Sequence, residues 1–403
     1  MSASFLHYAQ GIREVQYKST QFIDDRVKIT AVLDQSKEQC PICGSSLLQF
    51  KGSIERQIQM CPIGSKPCWL YLIIHRRYCS DCYNKWWPRP PFVSGKRRMT
   101  RFFEKYIISL TGGMTLKDIG VLLGISWRTV RDIHKEYLKK KYSKPYDLGS
   151  LIYLGIDEFS IGKNHDYMTI FINLDTTQII YAIEGRSKDV IMPFLKKLTK
   201  EATNLQAVAM DMSGPYKSAV KQCLSDIDIV FDRFHVMKLM NTAIDEIRRE
   251  QHRIYKNEGV EVLKGTRYLL MKNIESLEPE HRTGLQTLLE MNAPLACAHM
   301  LKEQLREFWN QSNRAHAEIF LLKWLFCGGM ESGNREIVKV ARTLLHHAKG
   351  LLDYYNHMIT NSTTEGINNK IATLQKQAYG YRDMEYFKLR LYHLHKQKSE
   401  LIG

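Results

Sequence analysis

Two Cys-x-x-Cys pairs, Cys40-Pro-Ile-Cys43 and Cys79-Ser-Asp-Cys82, constrain this 403-residue chain more than any other feature. Each pair can sit on one tight turn and present two thiolates to a single ion. Two such turns complete a tetrahedral four-thiolate zinc site with no position left for water, so a zinc ion held by Cys40, Cys43, Cys79 and Cys82 is expected to be structural. Gly44 follows the first pair, where a turn needs a residue tolerant of positive φ. The segment between the pairs alternates as strands do, notably from Trp69 to Ile74, which is the layout of a zinc ribbon over 35–90. A redox dithiol is more often a single Cys-x-x-Cys beside a βαβ unit. Cys61 and Cys68 lie inside the ribbon and read as structural thiols, because the paired turns already satisfy four-coordination. Cys223, Cys297 and Cys327 sit among apolar neighbours and read as small core residues. An odd number of cysteines and no export signal argue for a reducing, cytoplasmic setting.

The charge balance points to a polyanionic partner. Lys and Arg number 58 against 42 acidic residues, a formal charge of +16. The densest apolar runs, Leu70–Ile74 and Ile227–Phe231, fall far short of the ~20 residues a membrane helix needs, so no membrane partner is expected. Proline-rich Trp86–Ser94 reads as an extended connector, and Tyr142–Ser150 marks a second boundary. Between them, 96–145 reads as a helix-turn-helix. Leu116, Ile119, Leu122 and Leu123 form a helical face, Gly124 marks the turn, and Ser126 is placed to cap the second helix. Gly120 allows the two helices to approach closely, and Val130 and Ile133 pack the second onto the first. The other face carries Trp127, Arg128, Arg131 and Lys135, available to double-stranded DNA. The alternative is an ordinary helix pair in a larger core.

The region after 150 sets strands at Leu151–Ile156, Tyr167–Leu174 and Gln178–Glu184, a helix at Ser187–Lys200, a strand at Ala207–Met210, a helix at Pro215–Leu224 and a strand at Ile227–Phe231. That order matches a ribonuclease-H-like fold, in which the first and fourth strands lie side by side. Asp157 and Asp211, at the ends of those strands, would then face one metal site. Both could equally be strand-end caps. A third carboxylate from a later helix is needed to hold two hard cations, and Glu365 is a candidate, with Glu365, Asn369 and Lys376 on one face and Ile367, Ile371 and Leu374 on the buried one. The alternative is that Ser362-x-x-Glu365 is a capping box. The whole is a multidomain chain mixing α+β and α/β parts.

The succession of CPICG…CSDC, a helix-turn-helix, GIDEFS, AMDMSGPY, FDRFHVMKL and NSTTEGINNKI…AYGYR resembles the ISL3 family of insertion-sequence transposases from about Cys40 to Leu391. The resemblance implies a DDE triad on a ribonuclease-H-like fold, falling on Asp157, Asp211 and Glu365, with Mg2+ or Mn2+ as catalytic cofactor. It implies terminal inverted repeats and target DNA as partners, a homo-oligomer assembled on DNA, and a bacterial, nucleoid-associated protein. It also implies a helical insertion, and 237–355 reads largely helical; the catalytic domain would then be 150–236 and 356–395, behind an N-terminal segment at 1–34. By the same analogy the motif Asp232-Arg-Phe-His235 lies near the metal site, where His235 would orient water or contact a phosphate as an accessory group; the alternative is that Asp232 caps the next helix and His235 packs beside it. Tyr379-Gly-Tyr-Arg382 could clamp DNA or pack as a loop. The competing functions are a non-catalytic DNA-binding regulator and a cellular ribonuclease-H-like nuclease such as a junction resolvase.

Overall fold

Strand alternation builds the first sheet of the computed structural model, which describes residues 3–162, 166–257, 263–360 and 362–395, the side chains of residues 3, 4, 362, 363 and 365 excepted. The chain divides into two units, one within Met1–Lys144 and one spanning Pro145–His395. In the first, β1 (Val15–Ile23), β2 (Arg26–Leu33), β3 (Leu48–Ile63) and β4 (Lys66–Cys79) run in the order β1-β2-β4-β3, and β5 (Lys85–Trp86) pairs with β4. Val27, Ile29 and Ala31 of β2 and Leu70, Leu72 and Ile74 of β4 are buried at every second position, the period of a strand with one covered face. Leu6 of α1 (Ala3–Gln10) and Ile12 complete that core.

The boundary at 34/35 does not separate elements of the fold. β2 pairs in parallel with β4 from Val27↔Cys68 to Val32↔Ile73, so residues 15–33 belong to the same sheet as the strands between the cysteine pairs. The reason is burial. The cysteine spacing locates the two turns at one end of β4, whereas the apolar face of this 14-residue strand continues past them and needs a partner.

α2 (Arg101–Leu110), α3 (Leu116–Leu123) and α4 (Trp127–Lys141) follow. Thr115 caps α3 by accepting from Asp118 N, and Ser126 caps α4 by accepting from Arg128 N. Gly124 ends α3 at φ 64°, a left-handed conformation that favours glycine. A Cβ on Gly120 would lie 2.8 Å from the Ile125 carbonyl oxygen, so the tight turn requires glycine there. Leu122 departs from the expected apolar face: it is 58% exposed, because Ile119, Leu123, Val130 and Ile133 already fill the small core of the helices. These helices are also stitched to the sheet. The buried Gln59 side chain donates to the Leu123 carbonyl (2.9 Å), and its backbone bonds to Arg98 and Thr100. The stretch Trp86–Ser94 is therefore anchored within one unit, with Phe92 and Val93 buried.

In the second unit, β6 (Tyr153–Ser160), β7 (Tyr167–Asn173), β8 (Ile179–Glu184), β9 (Ala207–Met210) and β10 (Asp228–Phe231) form a sheet in the order β10-β9-β6-β7-β8. β6, β7 and β8 are antiparallel neighbours, and β9 and β10 run parallel to β6. α5 (Lys188–Glu201) and α6 (Gly214–Cys223) cover one face, where Leu154, Ile156, Val208, Met210, Ile229 and Phe231 point. α15 (Ser362–Gln377) and α16 (Met384–Tyr392) cover the other, packing Ile367, Ile371, Leu374 and Phe387 on Met168 and Ile170.

Between β10 and α15 the described residues are mostly helical: α7 (Arg233–Asn257), α8 (Arg267–Met271), α9 (Pro279–Met291), α10 (Ala293–Arg306), α11 (Arg314–Lys323), α12 (Arg335–His346), α13 (Ala348–Leu352) and α14 (Tyr354–His357). The expected start of this region at 237 falls inside α7, because nothing breaks the helix once Asp232 has started it. The core runs without interruption from the sheet into these helices. At Gly350 of α13 an added Cβ would lie 2.4 Å from Phe231 of β10, so the helix packs directly on the strand that precedes Asp232.

Candidate active site and metal centre

The parallel ladder between β6 and β9 ends at Gly155↔Ala209, and that between β9 and β10 ends at Met210↔Phe231. Extending the register places Asp157, Asp211 and Asp232 on one row across three neighbouring strands. Alternation then gives their direction. Leu154, Ile156, Val208, Met210, Ile229 and Phe231 face α5 and α6, so the odd-numbered Asp157 and Asp211, and Asp232 with them, fall on the face toward α15. Asp157 is not at the end of its strand as expected: β6 continues to Ser160, held by β7 alone after β9 stops. The carboxylate therefore sits on a rigid strand.

Asp157 accepts hydrogen bonds from Glu158 N (2.8 Å) and from Asn368 Nδ2 on α15 (2.8 Å). Burial pushes its carboxyl above the ordinary value, against the pull of these bonds and of Thr364 and His235. Burial raises Asp211 too, with Glu158 and Asp157 adding like-charge repulsion and His235 opposing it. His235 Nδ1 lies 3.2 Å from Asp232 Oδ2, while Asp232 Oδ1 accepts from Phe234 N in the first turn of α7. The hydrogen bond to Asp232, then the fields of Asp211 and Asp157, favour the imidazolium and raise the pKa of His235 against burial. Asp232 thus starts the helix and also aims the ring at the carboxylates.

Glu365 is on α15, and its side chain lies outside the described residues, as do those of Ser362 and Thr363. Its neighbours Thr364 and Asn368 line one cavity of about 1070 Å3 with Asp157, Glu158, Asp232 and His235. Sequence reasoning missed Asn368 and Thr364. The expected companions Asn369 and Lys376 are exposed. The signal was present in the i, i+4 spacing of Thr364 and Asn368, but the phase of the helix against the sheet was needed to use it. Glu158 was also missed. It lines the same cavity and is held by Tyr216 of α6, which donates to it (2.6 Å), and by Arg186, which pairs with it at 3.3 Å. Of the loop tyrosines, Tyr381 stacks on Phe387 at 4.4 Å, whereas Tyr379 is fully exposed.

Cys40, Cys43, Cys79 and Cys82 are brought together in the first unit, with one sulfur of each within 4.8 Å of the others. The Cys40–Cys82 and Cys43–Cys79 sulfurs are 3.4 and 3.5 Å apart, close to the ~3.8 Å edge of a tetrahedron with ~2.3 Å metal–sulfur bonds. Each pair sits on a turn closed by a backbone bond, Gly44 N to Cys40 O and Tyr83 N to Cys79 O. Gly44 (φ 73°) and Tyr83 (φ 61°) occupy equivalent left-handed positions after the two pairs. Burial opposes the Cys40 thiolate, but the N–H groups of Cys43 and Ile42 favour it and bring its pKa down to about 6. Cys61 and Cys68 lie at the far end of the β3–β4 hairpin, where burial pushes both thiols up to about 12.

On α4, Trp127 is 46% exposed, with the Arg128 and Arg131 guanidinium groups 5.6 and 5.7 Å from its ring centre. Arg131 also pairs with Asp132 at 2.7 Å, whereas Arg128 is exposed. Lys135 is half-buried on the same helix. Among the described residues no helix is long and apolar enough to cross a membrane.

Comparison with known proteins gives matches at three levels. A family model described as a transposase matches residues 154–391, and a model for the helix-turn-helix domain of transposase family ISL3 matches 88–138. The transposase for insertion sequence element IS1001 of Bordetella parapertussis is 27% identical over 87% of this chain and 87% of its own length. The transposase for IS1557 of Mycobacterium tuberculosis is 25% identical over 70% of this chain and 69% of its own. Among solved structures, the Drosophila P element transposase strand transfer complex aligns with a TM-score of 0.40 at 10% identity, covering 77% of this chain and 95% of that one.

Proposed function

Because the chain belongs to the ISL3 family of transposases, and so is a DNA transposase with a helix-turn-helix DNA-binding domain, we propose that it binds the terminal inverted repeats of an insertion sequence and cuts and joins DNA at a DDE centre made by Asp157, Asp211 and Glu365. The observation that carries this reading is the shared register and face of Asp157 and Asp211, opposite the stretch of α15 that holds Thr364, Glu365 and Asn368. The strand order β10-β9-β6-β7-β8 supports a ribonuclease-H-like domain at 150–236 and 356–395, and α7 to α14 support a helical insertion at 237–355.

The donor set suits hard divalent cations. Asp157 and Asp211 are oxygen donors whose ionised forms are penalised by burial, a cost that a cation removes. Asn368 Oδ1 is buried and has no hydrogen-bond partner among the described residues, a donor oxygen beside them. Mg2+ or Mn2+ held by Asp157, Asp211 and Glu365 would supply Lewis-acid activation of the attacking oxygen and charge stabilisation at the leaving 3′ oxygen. Asn368 fixes the orientation of Asp157, and His235, aimed by Asp232, presents its Nε2 edge to a phosphate oxygen. Cleavage uses water, and strand transfer uses the freed 3′-hydroxyl, so no side chain becomes attached to DNA. Cutting and joining two ends as one event calls for a homo-oligomer on DNA. The cysteine cluster suits a structural Zn2+, given four thiolates and tetrahedral spacing.

The purified protein should nick a labelled duplex carrying the element's own end in Mg2+ or Mn2+ and stop when EDTA is added. A folded, end-binding protein inert in both metals overturns the reading. End recognition is assigned to Trp127, Arg128, Arg131 and Lys135 on α4. Arg128→Ala should weaken binding of the end duplex by ~1–3 kcal/mol relative to a scrambled duplex if a bidentate guanine contact is lost. Arg131→Ala should cost less, since Asp132 holds that guanidinium. Anisotropy titrations of both duplexes check this, and unchanged affinity in both variants moves recognition off α4.

A further inference from the structure

The cavity that holds Asp157 and Asp232 continues along one stripe of α7. Lys238, Asn241, Asp245 and Arg249 follow one another at helical spacing on its wall, while Val236, Met240, Ile244 and Ile247 on the opposite side are buried in the core. At 1.5 Å per residue, Asp245 lies roughly 15 Å along the helix from His235. At the far end basic groups outnumber acidic ones.

The far end is a built site. Asp245, 4% exposed, receives Arg249 at 2.8 Å, Arg248 at 3.0 Å and Arg267 of α8 at 3.6 Å, and Arg249 also pairs with Glu246 at 3.1 Å, so two carboxylates hold three guanidinium groups and leave an excess of positive charge. Arg249 and Arg267 line the cavity and are half-exposed, whereas Arg248 does not line it. α8 is braced by the buried Lys302, itself part of the cavity lining, which donates to the carbonyl oxygens of Leu270 (2.8 Å) and Lys272 (3.0 Å). At the near end, Phe234 is 52% exposed on the cavity wall beside His235. A groove with fixed cations and an exposed aromatic ring suits unpaired nucleotides, whose phosphates meet the cations and whose bases stack. A volume of about 1070 Å3, at the upper limit of a small-molecule pocket (~300–1,000 Å3), is sufficient for a short strand.

We propose that Arg249 and Arg267, held by Asp245, bind the phosphates of a frayed single strand leading from the scissile bond, with Phe234 stacking on a base next to it. The inference deepens the catalytic reading above and rests on it for the strand's identity. It makes the first turns of the helical region a substrate-holding wall and implies that the DNA tip is unpaired when it is cut.

The test uses the full-length protein and fluorescein-labelled oligothymidylate, whose binding needs neither divalent metal nor cleavage. The doubly substituted protein R249A/R267A should bind it about ten-fold more weakly, with a salt dependence shallower by ~1.4, from ~0.7 per lost phosphate contact on single strands. On an end substrate KM should rise while kcat holds. F234A should weaken binding without changing the salt slope. R248A breaks the same buried ion cluster without removing charge from the cavity, so it should bind as the wild type does. Wild-type affinity and slope in R249A/R267A overturn the proposal, as does an equal loss in R248A, which would mark the cluster as purely structural. Loss of duplex binding with oligothymidylate binding intact overturns the single-strand assignment. A wild-type protein that binds oligothymidylate through these arginines but never cleaves an end refutes the catalytic reading and leaves the subsite standing.

Discussion

Asp157→Asn, Asp211→Asn and Glu365→Gln should each abolish metal-dependent cleavage and strand transfer, by at least roughly a thousand-fold if the lost ligand charge is worth several kcal/mol in the transition state. Folding should survive. Burial holds the carboxyls of Asp157 and Asp211 above their ordinary values, so their ionised forms cost stability at neutral pH when no cation is bound. A carboxylate with a raised folded pKa stabilises nothing above that pKa, and its neutral isostere removes the penalty. In EDTA, the Asp variants should therefore melt no lower than the wild type, and calorimetry beside the cleavage assay separates lost chemistry from lost structure. Glu365 is the discriminating position. A capping role tolerates glutamine, so near-wild-type cleavage by Glu365→Gln would return that residue to the helix start and leave the two aspartates without their third partner.

Loss of the zinc proposed at the four cysteines is expected to have the second large effect, confined to one end of the first sheet. Metal analysis should find about one zinc per chain, and Cys40→Ser and Cys79→Ser should lose it, because three remaining ligands cannot close a structural tetrahedral site. The consequence is local. β2, β4 and the buried part of β3 keep a core of their own through Ile29, Leu70, Leu72, Ile58 and Met60. The turns at Cys40–Gly44 and Cys79–Tyr83 are closed by backbone bonds, and the two-residue β5 adds its pairing with β4 and a Trp86–Glu38 hydrogen bond (3.1 Å), so these segments would depend most on a bound ion. Hydrogen exchange in the zinc-free protein should therefore accelerate in those turns and in Lys85–Trp86 while the amides of β2 stay protected. Full zinc content in both variants would move the ligands elsewhere.

Local rules made much of this protein legible. Short apolar runs bounded by turn residues located the five strands of the second unit to within a few residues, and cap and turn chemistry at Ser126, Gly124 and Gly120 marked the helix-turn-helix, because those signals act over a few bonds. The paired cysteines declared their own proximity, since four thiolates at that spacing share an ion readily. Asp157 and Asp211 could be nominated because a strand order, once recognised, puts two strands side by side.

Tertiary structure decided what depends on the rotation and docking of whole elements. Each helical residue turns the face by about 100°, so choosing Asn368 rather than Asn369 as the partner of Asp157 required knowing how α15 sits on the sheet. Leu122 fits an apolar stripe in sequence yet is exposed, because the small core it would join is already full. The pairing of β2 with β4 spans about 40 positions and has no local signature, and neither does the gathering of Arg248, Arg249 and Arg267 on Asp245. The sequence alone determined the chemistry each segment could offer. Which side chains meet was set by burial of long-range apolar faces, since that term depends on area removed from water between distant elements and leaves no mark in any one of them.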